Sequence, residues 1–456
     1  MAVYDLNQID NLPQMEQARP APIRQEPVAK PKKIRSGKGM KIAKALLMAI
    51  LVLGLIAEPF LLFSTMDKPV SVVDTRINEY GQLVIYYSDG TIQNVGAVTQ
   101  PDSGSNQVTG GSNVAAAVAK GLRSAVSIWC TFFDDKGEEV YSAGSGVIYK
   151  LDKDQGDAFI ITNYHVVFDA KTKTNNGISH EILLYLYGSQ LNGMGIPATY
   201  VGGSQNYDIA VLRVEDSELL RSSAAEAVTV ADSDQVAVGS TAIAVGNPEG
   251  DGISASSGVI SVDSEHITML GADGKTSVSF RVMRIDTAVN HGNSGGGLFD
   301  DQGRLIGIVN AKTITQDVEN IGYALPSSTV VAVADNIIDY CFGKDCTSVQ
   351  RAILGVTVTT ADSKAVYDAA TGSIRIVETV QIHEVSPGQI GSVFKQGDVL
   401  VSLSLNGQTK TITRQHHVID MMLTARVGDE AVFEVLRDGK IIALTITVTK
   451  GCLTKY

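Results

Sequence analysis

Apolar and polar residues follow several distinct patterns along the chain. Residues 1–40 are polar and show no hydrophobic period, whereas residues 45–63, ALLMAILVLGLIAEPFLLF, are almost continuously apolar. From about residue 114 to residue 345, short β-type runs such as SAVSIWCTFF, AFIITNYHVV and GRLIGIVNA alternate with Gly, Asn and Asp turns. Strands at this spacing, without helices between them, predict an antiparallel barrel or sandwich. The run SSTVVAVADNIIDYCF, at residues 327–342, is expected to form a closing helix.

The apolar run at residues 45–63 has the length of a membrane span. Nineteen helical residues reach about 28 Å, close to the hydrocarbon thickness of a bilayer. Its first part also has the length of the apolar core of a cleaved signal peptide. The 44-residue leader and the segment FSTMDK, which lacks a small-residue cleavage site, favour an uncleaved anchor. We therefore predict a transmembrane anchor at residues 45–65, preceded by a disordered, basic cytoplasmic tail at residues 1–44.

The distribution of charge agrees with this topology. The whole chain has a formal net charge of −12, but residues 1–44 carry nine Lys or Arg and four acids, which leaves −17 on the remainder. An acidic body argues against nucleic-acid binding, which needs a positive patch on the folded domain. A basic end beside an apolar span is typical of the cytoplasmic side. The sequence thus predicts a single-pass plasma-membrane protein with a cytoplasmic N-terminus and extracytoplasmic folded domains.

Two segments separate the predicted anchor from the β-rich domain at residues 114–345. Residues 77–96 alternate between apolar and polar and turn at an Asp-Gly pair, which predicts a hairpin. We assign this hairpin to a small membrane-proximal β segment at residues 70–98. Residues 99–113, TQPDSGSNQVTGGSN, are expected to form a flexible linker.

The last hundred residues predict a separate α+β unit at residues 351–450. Strand-like runs such as AILGVTV, GSIRIVETV and GDVLVSLSLNG surround one segment, TRQHHVIDMMLTA, with helical spacing. Its apolar face is marked by Val418, Met421 and Met422.

Four cysteines leave their chemistry open, and the sequence indicates no cofactor or metal. There is no C-x-x-C pair, and no histidine is spaced to complete a zinc site. Cys341 and Cys346 bracket FGKD, so they either close a small disulfide loop or remain two free thiols. The pairing of these two residues with Cys130 and Cys452 is not determined by the sequence.

Three short motifs, in one order, carry candidate chemistry. ITNYHVV places His165 at the end of an apolar strand, NYDIAVLRV places Asp208 at the start of another, and NHGNSGGGL places Ser294 in a tight loop. A serine hydroxyl is a poor nucleophile at neutral pH. It needs a neutral imidazole to take its proton and a buried carboxylate to orient that imidazole.

The glycines around Ser294 fit the same chemistry. Acyl transfer develops an oxyanion that backbone N–H groups must meet. Gly292 allows the amides of Gly292 and Ser294 to turn toward one point, while Gly295 and Gly296 are expected to clear space beside the serine.

Each motif alone has a simpler explanation. GNSGG alone is usually a loop, a histidine beside a strand is usually a packing residue, and the aspartate of YDIAVL serves equally as a cap. Their common order within one β-rich domain favours the catalytic interpretation. The other histidines lack such a setting and are interpreted as surface or packing residues: His180, His266, His291, His383, His416 and His417.

These motifs together resemble those of membrane-anchored bacterial HtrA/Deg-type serine proteases. The resemblance includes TNYHVV, YDIAVLRV, ADSDQVAVGSTAIAVGNPEG, DTAVNHGNSGGGLFDDQGRLIGIV and IGYALPSS, and covers nearly all of residues 114–330. It implies a mostly β protein, with a chymotrypsin-like double β-barrel protease domain after a single transmembrane helix. It also implies a His165, Asp208 and Ser294 triad, oxyanion donors at Gly292 and Ser294, and a homotrimer.

The C-terminal unit resembles the PDZ domain of the same family, through LGV, SPG and FKQGDVLVSLSLNG. A PDZ domain binds an extended peptide or C-terminus by adding it to a sheet edge. The resemblance places the carboxylate-binding loop at Leu354, Gly355 and Val356, and implies hydrophobic peptide C-termini as partners.

The chain departs from the family at the nucleophile loop and at the substrate pocket. Family members often have proline where His291 and Gly297 stand, so we expect a more mobile loop here. Val289, Lys312 and Thr313 fall where the primary pocket is lined, which argues against a simple small-aliphatic preference.

The sequence supports a membrane-tethered serine endopeptidase of protein quality control or stress signalling, cleaving unfolded or regulatory proteins. The alternative is a catalytically weak protease-like scaffold that binds exposed C-termini through its PDZ domain. A third possibility is a site assembled only when the PDZ domain or a trimer interface is engaged, with GNPEGDGISAS and NAKTITQDVEN as the moving segments.

Overall fold

The chain divides into two compact units, Met1–Gln107 and Val108–Tyr456. Within the described stretches, no helix combines the length and apolar character that a bilayer span requires. The predicted tail, anchor and linker lie outside these stretches. The structure, a computed structural model, describes residues 72–77, 82–87, 90–97, 114–172, 175–189, 195–311, 321–342, 348–369, 371–388 and 390–456.

In the first unit, three described strands form an antiparallel sheet in the order β1-β2-β3. They are β1 (Val72–Ile77), β2 (Gln82–Tyr87) and β3 (Ile92–Ala97). Gly90, between β2 and β3, has a φ of +84°, a backbone conformation that favours glycine. The predicted hairpin thus corresponds to β2 and β3, and β1 adds a third strand to it.

The second unit begins with helix α1 (Val114–Ser124), and six strands then close into a first barrel. The strand order around this barrel is β4-β5-β6-β9-β8-β7. A short helix, α2, follows β6, and another, α3, follows β9. The elements are β4 (Ala125–Phe133), β5 (Glu139–Asp152), β6 (Asp157–Thr162), α2 (Tyr164–Val167), β7 (Glu181–Leu186), β8 (Ile196–Ser204), β9 (Ile209–Val214) and α3 (Glu218–Ser222).

A second six-stranded barrel follows, in the order β10-β11-β12-β15-β14-β13. The closing helix predicted from the sequence is present as α4. Two six-stranded barrels in succession confirm the mostly β, chymotrypsin-like architecture expected for this region. The elements are β10 (Thr241–Gly246), β11 (Ser254–Leu270), β12 (Ser277–Ile285), β13 (Gly297–Phe299), β14 (Leu305–Asn310), β15 (Gly322–Pro326) and α4 (Ser327–Cys341).

The expectation of strands without helices is wrong at the start of this unit. Helix α1 buries small residues, Ala117, Gly121 and Ser124, at helical spacing against the barrels. A Cβ on Gly121 would lie 2.9 Å from the Val245 side chain, so glycine permits this close approach. Val114, Val118 and Leu122 pack beside these small residues at helical spacing, so the segment has an apolar face that the prediction of strands alone missed.

The C-terminal region, residues 350–456, combines one sheet with one long helix. Its main sheet has the order β17-β18-β19-β21-β22, with β20 beside β19, while β16 pairs with β23. Helix α5 packs Val418 and Met422 into the core of this region, as the helical spacing predicted. The elements are β16 (Gln350–Ala352), β17 (Val356–Asp368), β18 (Ser373–Val385), β19 (Val399–Leu405), β20 (Gln408–Thr411), α5 (Gln415–Leu423), β21 (Glu430–Arg437), β22 (Lys440–Thr447) and β23 (Leu453–Lys455).

Candidate active site

Asp208 and His165 meet at the open end of the first barrel. His165 lies on α2, directly after β6, and Asp208 lies in the turn before β9. The His165 Nδ1 is 2.7 Å from Asp208 Oδ2, and the His165 backbone N–H donates to Oδ1 over 3.0 Å. Asp208 has a φ of +51°, a left-handed conformation that aspartate tolerates better than most residues. The turn therefore aims the carboxylate at both the ring and the backbone of His165.

The direction of these hydrogen bonds determines which ring nitrogen of His165 acts as the donor. A carboxylate that accepts from several donors carries no proton of its own to give. The proton of the His165–Asp208 bond therefore lies on Nδ1, so Nε2 is the nitrogen that carries the lone pair in the neutral ring. A neutral imidazole with a free Nε2 is the form that can accept a proton from a nucleophile.

Two asparagines that the sequence interpretation missed support Asp208. Asn310 Nδ2 donates to Asp208 Oδ2 over 2.8 Å, and Asn163 Nδ2 donates to the Asp208 carbonyl over 2.8 Å. Both asparagines are fully buried. Asn310 ends the apolar strand LIGIVN, and a buried polar residue at the end of such a strand is a signal that it has a partner.

Ser294 lies in the tight loop before β13 and is buried. Its Oγ accepts a hydrogen bond from the Ala311 N–H over 3.2 Å, which is its hydrogen-bond partner among the described residues. Because Oγ is the acceptor in this bond, its own proton stays available for donation. The nucleophile candidate is thus held by its oxygen while its O–H remains unused.

The loop directs two backbone N–H groups by binding the carbonyls that precede them. The His291 carbonyl accepts from the Glu249 N–H over 2.8 Å, and the Asn293 carbonyl accepts from the Gly296 N–H over 2.9 Å. In a planar trans peptide, the C=O and the following N–H point in opposite directions. The N–H groups of Gly292 and Ser294 therefore point away from these partners.

The glycines of the loop permit backbone contacts. Gly292 has a φ of +90°, and a Cβ there would lie 2.2 Å from the Asn247 carbonyl oxygen. A Cβ on Gly295 would lie 2.2 Å from the Ser145 carbonyl oxygen, and one on Gly296 would lie 2.4 Å from the Val245 carbonyl oxygen. The space beside Gly295 and Gly296 is thus filled by neighbouring strands. The expectation that these two glycines clear a path for substrate is therefore wrong.

The two residues that differ from the family lie in different environments. His291 is exposed, and its backbone carbonyl, which accepts from the Glu249 N–H, is the group that contributes to the loop geometry. Gly297 begins β13 and is buried, and a Cβ there would lie 2.4 Å from the Phe299 ring. Gly297 is therefore a packed ladder position where the Phe299 ring leaves no space for a side chain, and the greater mobility of the loop stays a prediction.

The remaining candidate residues are only partly described. Val289 is buried, and its side chain would meet a Cβ on Gly322 at 2.7 Å, so these two residues pack tightly together. Lys312 and Thr313 lie outside the described residues.

The candidate carboxylate loop joins β16 to β17. Gly355 has a φ of +75°, and Val356 is the first residue of β17. The carbonyls of Leu354 and Gly355 accept from the N–H groups of Gly391 and Ser386, over 2.8 Å and 2.7 Å. These bonds hold the loop against the body of the C-terminal region.

The cysteines serve structural positions. Cys130 and Cys452 are buried free thiols, and burial raises the pKa of Cys130 to about 12. A thiol with so high a pKa supplies no thiolate nucleophile. Cys341 is disulfide-bonded, and Cys346 lies outside the described residues.

Comparisons with known proteins agree with the geometry. Residues 144–308 match the trypsin-like peptidase domain family. The chain is 30% identical over 326 residues to the serine protease Do-like HtrA of Lactococcus lactis subsp. cremoris (strain MG1363), covering 69% of this chain and 72% of that protein. It is 33% identical over 315 residues to the serine protease Do-like HtrB of Bacillus subtilis (strain 168), covering 67% of this chain and 62% of that protein.

A similar solved structure is the HtrA-type protease AlgW with tripeptide, at 26% identity and a TM-score of 0.45, covering 75% of this chain and 97% of the other. The two barrels and the trypsin-like match make the chain a chymotrypsin-like serine endopeptidase. The chain belongs to the HtrA family of serine proteases.

A second polar cluster lies away from this site, where α5 of the C-terminal region meets the second barrel. Asp234 pairs with Arg281 over 3.1 Å and contacts Lys410 closely. His416 Nε2 and His417 Nε2 lie 3.5 Å and 3.9 Å from the same carboxylate. Both histidines are buried, whereas four of the other five histidines are exposed and His165 is half-buried. His416 and His417 are therefore packing residues of an interface, which is one of the two roles expected for these histidines.

The same cluster continues through Asp420. Its carboxylate accepts from Ser328 and Thr329 of α4 over 3.1 Å and 3.0 Å, and lies 3.2 Å from Arg281. These bonds join α5 to the closing helix and to β12 of the second barrel. The strand β12 ends nine residues before Ser294, so the cluster lies on the element that leads into the nucleophile loop.

Asp234, His416 and His417 present ligand atoms within 4.8 Å of one another, which is a possible metal-ligand set. The charges around them argue against a metal. Arg281 and Lys410 already pair with the carboxylate oxygens of Asp234, so a divalent cation would meet two positive side chains. The group is better described as an ion-paired contact between domains.

Burial controls the titration of this cluster. It lowers the pKa of His416 to about 3 and also lowers the pKa of His417. Burial alone would raise the pKa of Asp234, but the His416 hydrogen bond and the charges of Arg281 and Lys410 hold it well below its usual range. Burial raises the pKa of Asp420. The contact between α5 and the second barrel therefore favours the neutral forms of His416 and His417.

We predict that acidification weakens this contact. A histidine whose pKa is lowered in the contact between α5 and the second barrel stabilises that contact fully above about pH 6.5. This stabilisation falls as the pH drops toward about 3, the pKa of His416 in the contact. Each histidine that takes up a proton on opening contributes a slope of about 1.4 kcal/mol per pH unit. Asp420 acts in the opposite direction, since its raised pKa favours the docked form on acidification. Hydrogen exchange of the α5 amides at pH 7.5 and pH 5.5 measures the net effect.

The matched variants are His416→Gln with His417→Gln, and His383→Gln as the exposed control in the same region. The double variant should lose most of the pH dependence of α5 exchange, whereas the control should keep it. An unchanged pH dependence in the double variant would show that other groups control the contact.

Proposed function

We propose that the chain is a membrane-tethered, extracytoplasmic serine endopeptidase of protein quality control or stress signalling, with His165, Asp208 and Ser294 as its catalytic triad. The observation that carries the proposal is the 2.7 Å contact between His165 Nδ1 and Asp208 Oδ2, with consecutive residues Asn310 and Ala311 bonding Asp208 and the Ser294 oxygen. Unfolded or regulatory proteins are the proposed substrates, in keeping with the family.

The proposed reaction begins at Ser294. Its Oγ attacks the substrate carbonyl carbon while His165 Nε2 takes the hydroxyl proton, and Asp208 stabilises the imidazolium that forms. The carbonyl oxygen becomes an oxyanion and accepts from the N–H groups of Gly292 and Ser294. When the intermediate collapses, the leaving amine takes the proton from His165 Nε2. Water then repeats the sequence on the acyl-enzyme, which releases the second product and restores Ser294.

The arrangement of the loop supports this role for the two amides. Their directions are set by carbonyl bonds within the protein, so no reorganisation is needed when the oxyanion forms. Val289, Lys312 and Thr313 are proposed to line the pocket for the residue before the cleaved bond.

Ser294→Ala should abolish proteolysis of unfolded casein and labelling by a fluorophosphonate probe. By comparison with single triad deletions, the loss of activity should be on the order of 10³-fold or more. Ser264→Ala, a serine on β11 of the second barrel, serves as the control and should be labelled normally. Labelling or turnover that persists in Ser294→Ala would refute the triad. A wild-type chain that binds C-terminal peptides without turnover would favour a protease-like scaffold.

We further propose that residues 351–450 form a PDZ domain that binds hydrophobic peptide C-termini, with Leu354, Gly355 and Val356 at the carboxylate. Strand β17 stands at one end of its sheet, so one of its edges is available for an added strand. Gln415 Nε2, at the start of α5, donates to the Val358 carbonyl of β17 over 3.2 Å. A bound peptide would replace this bond with a backbone N–H.

A peptide ending in a free carboxylate should bind the full chain more tightly than the same peptide with an amidated end. If peptide binding also assembles the active site, as the third hypothesis requires, casein turnover should rise with peptide concentration. Equal binding of the two peptides would contradict recognition of the carboxylate. If casein turnover does not change when the peptide binds, the peptide site and the active site are not coupled.

The anchor and the assembly are proposals of the same kind. The basic tail and the apolar run at residues 45–65 support a single-pass plasma-membrane topology. The chain should stay in the membrane pellet after carbonate extraction, and light scattering in detergent should give the mass of a homotrimer. A shortened form released by carbonate would contradict the anchor.

A further inference from the structure

Ser145 lies on β5 of the first barrel and contacts the nucleophile loop of the second barrel with two groups. Its backbone N–H donates to the Ser294 carbonyl over 2.9 Å. Its hydroxyl donates to the Gly292 carbonyl over 2.7 Å and accepts from the Asn247 N–H over 2.8 Å. Ser145 has no exposed surface, so water does not compete for these bonds.

The direction of both hydroxyl bonds is fixed by chemistry. A backbone N–H only donates and a carbonyl only accepts, so the proton of the Ser145 hydroxyl must point at Gly292. The hydroxyl therefore links two backbone segments of the second barrel, the turn after β10 and the nucleophile loop. The turn also donates directly to the loop, from the Glu249 N–H to the His291 carbonyl over 2.8 Å, and the Ser145 hydroxyl adds the link to the Gly292 carbonyl.

The residues beside Ser145 bring the other half of the site to the same strand. A Cβ on Gly144 would lie 2.5 Å from Val166, which neighbours His165 on α2. The absence of a side chain at Gly144 thus lets α2 rest directly on β5. Two consecutive residues of one strand therefore contact both halves of the site: Gly144 meets the helix that carries His165, and Ser145 meets the loop that carries Ser294.

We propose that Ser145 is a positioning residue of the protease. Its hydroxyl holds the Gly292–Asn293 peptide in the orientation that keeps the Gly292 and Ser294 amides aimed at the oxyanion. This inference rests on the proposed catalytic function of Ser294. In this proposal, a residue of the first barrel fixes the geometry of the oxyanion site in the second barrel.

Loss of the hydroxyl leaves two groups without this partner, the buried Asn247 N–H and the half-buried Gly292 carbonyl. Unsatisfied buried groups are costly, and a glycine at position 292 offers little resistance to rotation of the peptide that follows it. The loop would therefore turn to find new partners, and the Ser294 amide would turn with it. The stabilisation of the transition state should fall more than the affinity for substrate, because the oxyanion forms only during the reaction.

The test compares Ser145→Ala with Ser127→Ala in the full chain. Ser127 is equally buried, lies directly opposite Ser145 on β4, and accepts from the Asn247 side chain over 2.6 Å, without a bond to the nucleophile loop. For Ser145→Ala we expect kcat on casein and the fluorophosphonate labelling rate to fall about 10- to 100-fold, with KM changed less than about twofold. Ser127→Ala should lose less than about threefold.

Ser145→Cys provides a second variant of nearly the same shape, in case Ser145→Ala does not fold. A thiol is a weak donor, so this variant should fold and still lose most of the rate. Full kcat in either folded Ser145 variant, or a loss that appears in KM alone, would overturn the positioning role. If Ser294→Ala is inactive while Ser145→Ala is normal, this inference fails and the proposed function stands. Activity in Ser294→Ala would instead refute the proposed function.

Discussion

The candidate active site depends on the orientation of the backbone peptide groups in the nucleophile loop. A serine protease must keep two backbone N–H groups unbonded and aimed at one point, although buried N–H groups normally find partners. In this chain the carbonyls of the nucleophile loop are bound, and the planar peptide then sends each following N–H away from that partner. The donors come from Glu249, Ser145 and the loop itself. The site is thus a property of both barrels, because a loop cannot supply such restraints alone.

The sequence predicted the elements whose signals are local. Alternating strands, the closing helix Ser327–Cys341 and the helix at Gln415–Leu423 are repeated patterns within short windows, and each is present. His165 and Asp208 are in contact, as their setting at strand ends indicated. Contacts made across the fold carry no local signal. Glu249 acts through its backbone, and Asn310 acts through a distant carboxylate. Gly295 looked like an open space because the strand that fills it is 150 residues away.

The C-terminal region meets the protease barrels through a charged cluster at α5 as well as through apolar packing, since Leu423 at the end of α5 is buried in the core cluster of the barrels. Helix α5 presents apolar residues to its own core and polar ones, His416 and Asp420, to the barrel. A helical pattern in the sequence identifies the apolar face but does not say what the polar face contacts. That is why the sequence left surface and packing roles open for His416 and His417. The same helix is proposed to border the peptide groove, so groove and barrel share one rigid element.

Temperature acts on this charged contact differently from the cores that surround it. The hydration of charged groups becomes less favourable as water warms, so the cost of burying Asp234, Arg281 and Asp420 falls with heating, while apolar burial gains little further. Relative to the rest of the molecule, the contact between α5 and the second barrel therefore strengthens on warming. The contact itself lasts only as long as the apolar cores that hold α5 and β12 stay folded. A protease that must work while other proteins unfold would retain its arrangement under those conditions.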